Sequence, residues 1–244
     1  MNTIIGVDLA KSVFQLHSTT MTGKIVFRKK PTRAQFVKFM SGHEPTIVVM
    51  ESFGSAHFWA RELQKRGHKV KLIAHQYVRP FVKRQKNDAA DAEAIVVAAQ
   101  RPEMRFVEPK SGAQQARGVL FLARDRLVHH RTELINVLRG VLYEHGLVCP
   151  QGECHLGRIQ DVLADPESDL NPLIRDECRD SAEQIAETTD RINDKTRKIS
   201  AVSTKSDLTR QLQSMPGLGP MTALAIEAFA PAMETFAKRH DFAA

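Results

Sequence analysis

Asp88 and Asp91 stand three residues apart in Lys86-Asn87-Asp88-Ala89-Ala90-Asp91-Ala92-Glu93-Ala94-Ile95, an Ala-rich stretch that continues into Val-Val-Ala-Ala. On a helix this spacing puts both carboxylates on one face, a turn apart. Carboxylates that close repel each other, and a divalent cation or a set of basic side chains relieves the repulsion. Alone, such a pair reads first as decoration of a helix N-terminus, where the macrodipole favours negative charge. Glu93 shares the helix but points away from the aspartate face, and is expected in solvent. Two further acids end apolar runs: Asp8 after Thr3 to Val7, and Glu51 after Thr46 to Met50. Singly, Asp8 reads as the start of a turn and Glu51-Ser52 as a helix cap. Together the four offer the hard oxygen donors that suit Mg²⁺ or Mn²⁺. Two such ions activate a water or hydroxyl and stabilise the leaving oxygen in phosphodiester displacement.

The elements that must position these acids follow from periodicity. Thr3 to Val7, Val13 to Ser18 and Lys24 to Arg28 read as three strands, the last two joined through Met21-Thr22-Gly23. A helix begins at Pro31-Thr32-Arg33, with Phe36, Val37, Phe39 and Met40 as its apolar stripe. Thr46 to Met50 is wholly apolar, as in a strand buried on both faces. A helix from about Ala56 to Arg66 stops at Gly67, Lys69 to Ile73 is a fifth strand, and a basic loop leads into the Asp88 helix. The order β-β-β-α-β-α-β-α predicts an α/β domain in which helices cover a mixed sheet. If the first and fourth strands are neighbours, Asp8 and Glu51 emerge at one sheet edge.

Charge is uneven along the 244 residues. Through Arg105 there are 18 Lys and Arg against 8 Asp and Glu, a net +10; the remainder carries 17 against 20. A basic first half that keeps its acids in special places suggests a polyanion partner. Arg79, Lys83, Arg84 and Lys86 of the loop 76–86 are candidate phosphate contacts, with Tyr77 and Phe81 able to stack on bases and Phe81 favoured for the core. Lys11 joins them beside Asp8. The hydrophobic share of 42%, a mean hydropathy of −0.30 and three irregularly spaced cysteines fit a soluble chain in a reducing cytoplasm. No membrane span or signal peptide is expected.

Three ordered motifs, Gly6-Val7-Asp8-Leu9-Ala10-Lys11, Met50-Glu51-Ser52 and Lys86 to Ile95, resemble the DEDD transposases of the IS one-ten insertion-sequence family. The resemblance covers most of the chain. It implies an RNase H-like fold of the RuvC-like branch and a tetrad of Asp8, Glu51, Asp88 and Asp91 that is both metal-binding and catalytic. It also implies DNA as substrate, strand cleavage and exchange as the reaction and, for some members, guidance by a structured RNA.

From about Gly112 the texture is helical. Leu120, Leu127, Leu134 and Val141 recur every seven residues, as do Cys178, Ile185, Ile192 and Ile199. With an irregular connection from Gly146 to Pro172, they read as an antiparallel hairpin or a coiled coil that joins two copies. The resemblance implies dimerisation through this segment. Arg117, Arg124 and Arg131 form a basic stripe that either follows nucleic-acid backbone or faces solvent. Cys149, Cys154 and His155 match no zinc spacing. Pro216-Gly217-Leu218-Gly219-Pro220 reads as a helix-hairpin-helix turn, with Gly217 and Gly219 letting backbone N–H groups approach a phosphate. The expected domains are 1–108, catalytic; 109–205, helical hairpin; and 206–244, the start of the family's C-terminal domain. That domain's nucleophilic-serine motif has no match before Ala244, so an incomplete recombinase is expected. A Holliday-junction resolvase of the RuvC type is the near alternative, and a non-catalytic nucleic-acid-binding dimer the distant one. Actin-like sugar kinases are disfavoured, because Asp8-Leu9-Ala10-Lys11 lacks the glycines that cradle ATP phosphate.

Overall fold

A computed structural model of the protein describes residues 3–82, 88–150, 152, 156–165 and 170–231. They divide into two units, one reaching Ala113 and the other spanning Gln114–Ala230. In the first, β1 (Thr3–Asp8), β2 (Gln15–Thr20) and β3 (Ile25–Lys29) form an antiparallel meander, while β4 (Ile47–Glu51) and β5 (Lys69–Ile73) add in parallel beside β1. The sheet order β3-β2-β1-β4-β5 is the mixed RNase H-like sheet expected. β2 begins later than its alternation suggests, because Val13 bridges to Thr32 instead.

Alternation divides the side chains of each strand between two cores. Ile5, Val7, Val48, Met50 and Leu72 face α1 (Arg33–Ser41) and α2 (Ala56–Gln64), where Phe14, Phe36 and Trp59 meet edge-to-face at 5.0–5.4 Å. Ile4, Val49 and Ile73 face the other way, onto Ala94, Ile95 and Ala98 of α4 (Asp88–Ala99). α1 starts after Thr32, whose side chain accepts from Gln35 N–H while Gln35 reaches back to the Thr32 N–H. Part of the stretch expected as a loop is helical: α3 (His75–Val78) continues into a 3-10 turn, Arg79–Phe81. Val78 and Phe81 draw it onto the α4-side core.

Beyond α4 the chain returns along β5 and α2. Val107 bridges to Leu72, and Lys110 N–H donates to His57 Nδ1 at 3.1 Å. Burial, then the charges of Lys110 and Arg61, hold His57 below the ordinary 6.5. The unfolded chain takes up this proton as pH falls through 6.5 and the native chain resists it, so stability is lost from pH 6.5 down towards the native value and levels off below. His57→Gln is expected to flatten that part of the stability profile, read from urea midpoints between about pH 7.5 and 5. An unchanged slope would count against it.

The second unit contains most of α5 (Gly112–Glu144), with α6 (Leu156–Ala164), α7 (Pro172–Ser203), α8 (Asp207–Gln213) and α9 (Pro220–Phe229). On α7 the sevenfold recurrence marks the seam: Cys178, Ile185, Ile192 and Ile199 are all buried. On α5 it does not. Val141 is exposed and Leu134 only flanks the core, whereas Ile135, Leu138 and Leu142 are buried against α6 and α7. The connection expected to be irregular holds α6, whose Ile159 and Leu163 bury one helical turn apart on that core. α8 and α9 are joined by a turn in which Gly217 has φ +86°, and Gly219 caps α9 ahead of Pro220. No helix of the described residues is long and apolar enough to cross a membrane.

Candidate active site

Period-two alternation fixes the direction of the two strand-end acids. Because Ile4 lies on the α4 side of β1, Gly6 and Asp8 lie there too; because Val49 lies there on β4, so does Glu51. The β1–β4 register pairs Val7 with Met50, so Asp8 and Glu51 follow side by side at the C-terminal edge of the parallel strands, about 4.8 Å apart as strands. Both are partly buried.

α4 runs antiparallel to β1 across that face. Just past its last turn, Gln100 Nε2 donates to Thr20 O of β2 at 3.2 Å, and Thr20 pairs with Thr3 at the start of β1. Its middle rides on Gly6: a Cβ there would lie 2.5 Å from Ala92 O and 2.6 Å from Val96 Cγ2. The N-terminal turn, with Asp88 and Asp91, therefore extends from Gly6 towards the Asp8 end. Asp91 is partly buried, and the side chain of Asp88 lies outside the described residues. Glu93 is not solvated as expected. It pairs with Arg28 of β3 at 3.0 Å, because β3 brings a cation to the face that α4 covers.

One neighbour of the acids escaped the sequence reading. His75 opens α3 two residues after Ile73, which pairs with Glu51, and its Nδ1–H donates to Glu51 Oε1 at 2.7 Å. A polar residue just past a parallel strand's C-terminal end is the signal that could have found it. Phe53, two residues past Glu51, is 76% exposed.

The other candidates divide. Lys11 and Arg79 are exposed, as is Tyr77, while Phe81 packs on the core with the Arg101 guanidinium 5.5 Å from its ring centre. Lys83, Arg84 and Lys86 lie outside the described residues, as do Cys154 and His155. The basic stripe on α5 is partly buried, and each of its arginines has a partner within the second unit. Arg117 Nη1 pairs with Glu227 at 2.7 Å, Arg124 Nε donates to Thr196 Oγ1 at 3.0 Å, and Arg131 Nη1 reaches Thr189 Oγ1 at 3.5 Å. Arg117, Arg124 and Arg131 precede the buried Leu138 at seven-residue intervals, so they lie in line with the seam.

Among the described residues, which include Asp8, Glu51 and Asp91 but not the Asp88 side chain, no group of three or more His, Cys, Asp and Glu side chains is gathered to hold a metal ion. The donor set itself is carboxylate oxygen throughout, which fits Mg²⁺ or Mn²⁺ and not a zinc site of sulfur and nitrogen.

Residues 5–146 match the family model of the IS110 DEDD transposases, described as a transposase. A putative transposase of Sinorhizobium fredii is 41% identical over 246 residues, covering 98% of this chain and 62% of its own length. A probable family 20 transposase of Pseudomonas aeruginosa is 39% identical over 98% of this chain and 72% of its own. The transposase for insertion sequence element IS1111A of Coxiella burnetii is 37% identical over 92% of this chain and 62% of its own. The chain thus spans between 62% and 72% of these relatives. RuvC of T. thermophilus, solved in complex with a Holliday junction substrate, covers 44% of this chain and 100% of its own at 11% identity and a TM-score of 0.33, too slight a likeness to add to the strand order.

Proposed function

Since this chain belongs to the IS110 family of DEDD transposases, we propose that its first unit supplies the acidic, metal-dependent part of the cleavage and exchange of DNA strands of an insertion sequence, in the cytoplasm. The observation that carries the reading is the course of α4, which brings the Asp88 end of one helix towards the strand edge where Asp8 and Glu51 emerge.

In this reading Asp8, Glu51, Asp88 and Asp91 hold Mg²⁺ or Mn²⁺. Such ions supply activation of the attacking oxygen and stabilisation of the leaving one. The protein's part is positioning. Asp8 and Glu51 are fixed by a buried parallel ladder, and α4 is fixed against Gly6, so the fold holds the acids at one edge against their mutual repulsion. Lys11 and Arg79 take phosphate, joined by Lys83, Arg84 and Lys86. Tyr77 and Phe53, with their rings in solvent, stack on unpaired bases. The turn with Gly217 and Gly219 takes a further phosphate at the start of α9. We assign 1–108 to catalysis, 109–205 to joining two copies, and 206–244 to the second DNA contact. A structured RNA is the other nucleic acid that the cations would serve.

The reading is tested by titrating branched DNA, linear DNA and structured RNA with Mn²⁺ present, and by following strand nicking. Binding with Mn²⁺-dependent nicking supports it. Binding without nicking under any divalent metal would leave a nucleic-acid-binding protein in its place. Tyr77→Ala is expected to weaken single-stranded DNA binding by about 1–3 kcal/mol at an unchanged thermal midpoint. An unaltered Kd would remove Tyr77 from the interface.

A further inference from the structure

We infer that His75 is a positioning residue of the acidic site, holding the Glu51 carboxylate in the one orientation from which it serves a divalent cation; this rests on the metal-dependent reading above. Glu51 and His75 are brought together by backbone alone. β4 and β5 pair Glu51 with Ile73, and Ser52 N–H donates to Ile73 O at 2.7 Å, which locks the turn after Glu51 onto the end of β5. Ala74 then turns the chain into α3, and His75 is its first residue.

Glu51 is the acid that needs such a partner. It has a longer side chain than Asp8 or Asp91, and a free glutamate gives up more rotamer freedom on being fixed than an aspartate does. With Oε1 accepting from His75 Nδ1–H at 2.7 Å, rotation of the carboxylate is restrained and Oε2 is left for a cation. The contact has no evident purpose in packing. The His75 side chain is 68% exposed, against 25% for Glu51, so little of it is committed to packing. Partners that orient a metal-binding side chain typically govern affinity without touching the metal.

The test compares wild type, His75→Ala and His75→Asn. Mn²⁺ binding is measured by calorimetry, and the His75 tautomer by ¹⁵N NMR of the metal-free protein at pH 8.5. His75→Ala is expected to weaken Mn²⁺ binding by about ten- to a hundredfold. His75→Asn, whose amide N–H replaces Nδ1–H, is expected to restore most of it, and neither variant moves the thermal midpoint. The wild-type imidazole is expected as the Nδ1–H tautomer and to lose that preference in Glu51→Gln, since the tautomer follows the hydrogen bond made. Unchanged affinity in His75→Ala, or an Asn variant as weak as Ala, would overturn the inference while the metal site stands. Wild-type protein that shows the Nδ1–H tautomer but binds no Mn²⁺, with or without DNA, would overturn the metal reading, and with it any part of His75 in holding a cation's ligand.

Discussion

Gly6→Ala is expected to unseat α4 and to cost both stability and the acidic site. The added Cβ would lie 2.5 Å from Ala92 O, a backbone atom that cannot rotate away, and 2.6 Å from Val96 Cγ2. The helix must therefore lift from β1 or the strand must shift. Forced overpacking of this kind costs about 1–3 kcal/mol, read as a lowered urea midpoint. The same movement carries Asp88 and Asp91 away from the strand edge, so Mn²⁺ affinity should fall with stability. A Gly6→Ala chain as stable as wild type, with undiminished Mn²⁺ affinity, would mean that α4 does not ride on β1 as described.

Asp8→Asn separates the chemistry from the fold. The amide keeps the size of the carboxylate and removes one negative charge from the β1 end, beside Glu51. Mn²⁺-dependent nicking is expected to fall by about a hundred- to a thousandfold, the scale seen when one electrostatic contact to a transition state is removed. With Mn²⁺ present, wild type should gain stability by mass action and Asp8→Asn should gain less. Nicking that survives in Asp8→Asn would exclude this acid from the reaction.

Much of the first unit was legible because its signals are local. The apolar runs that end in Asp8 and Glu51, the turn at Gly23 and the change of period at Thr32 each name an element without reference to the rest. The neighbour relation of β1 and β4 stood only as a condition in the sequence, and the sheet order supplies it. The contacts that bridge elements were not legible in the same way. Gly6 reads as an ordinary strand glycine until α4 is seen against it. Likewise, His75 gains its meaning only from the β4–β5 register, and Glu93 only from Arg28.

The second unit shows the limits of counting sevens. On α7 the recurrence found the buried side, because between Cys178 and Ile199 the other apolar residues are two alanines, Ala182 and Ala186. α5 has several overlapping apolar recurrences, and Leu120-Leu127-Leu134-Val141 was the most regular by type. The one that is buried at its end includes Ile135 and Leu142. Arginines in line with Leu138 are invisible to an apolar count. They become readable when Glu227, Thr196 and Thr189 are seen opposite them.

The central claim is that one acidic site is assembled from two strand ends and the first turn of α4. Calorimetry with Mn²⁺, on the wild-type chain and on an Asp88→Asn, Asp91→Asn double variant, tests it most directly, with branched DNA or structured RNA added if the protein alone gives no heat. Saturable binding in wild type that is lost in the double variant is the expected result. Equal binding in the two, or none in wild type even with nucleic acid present, would contradict it.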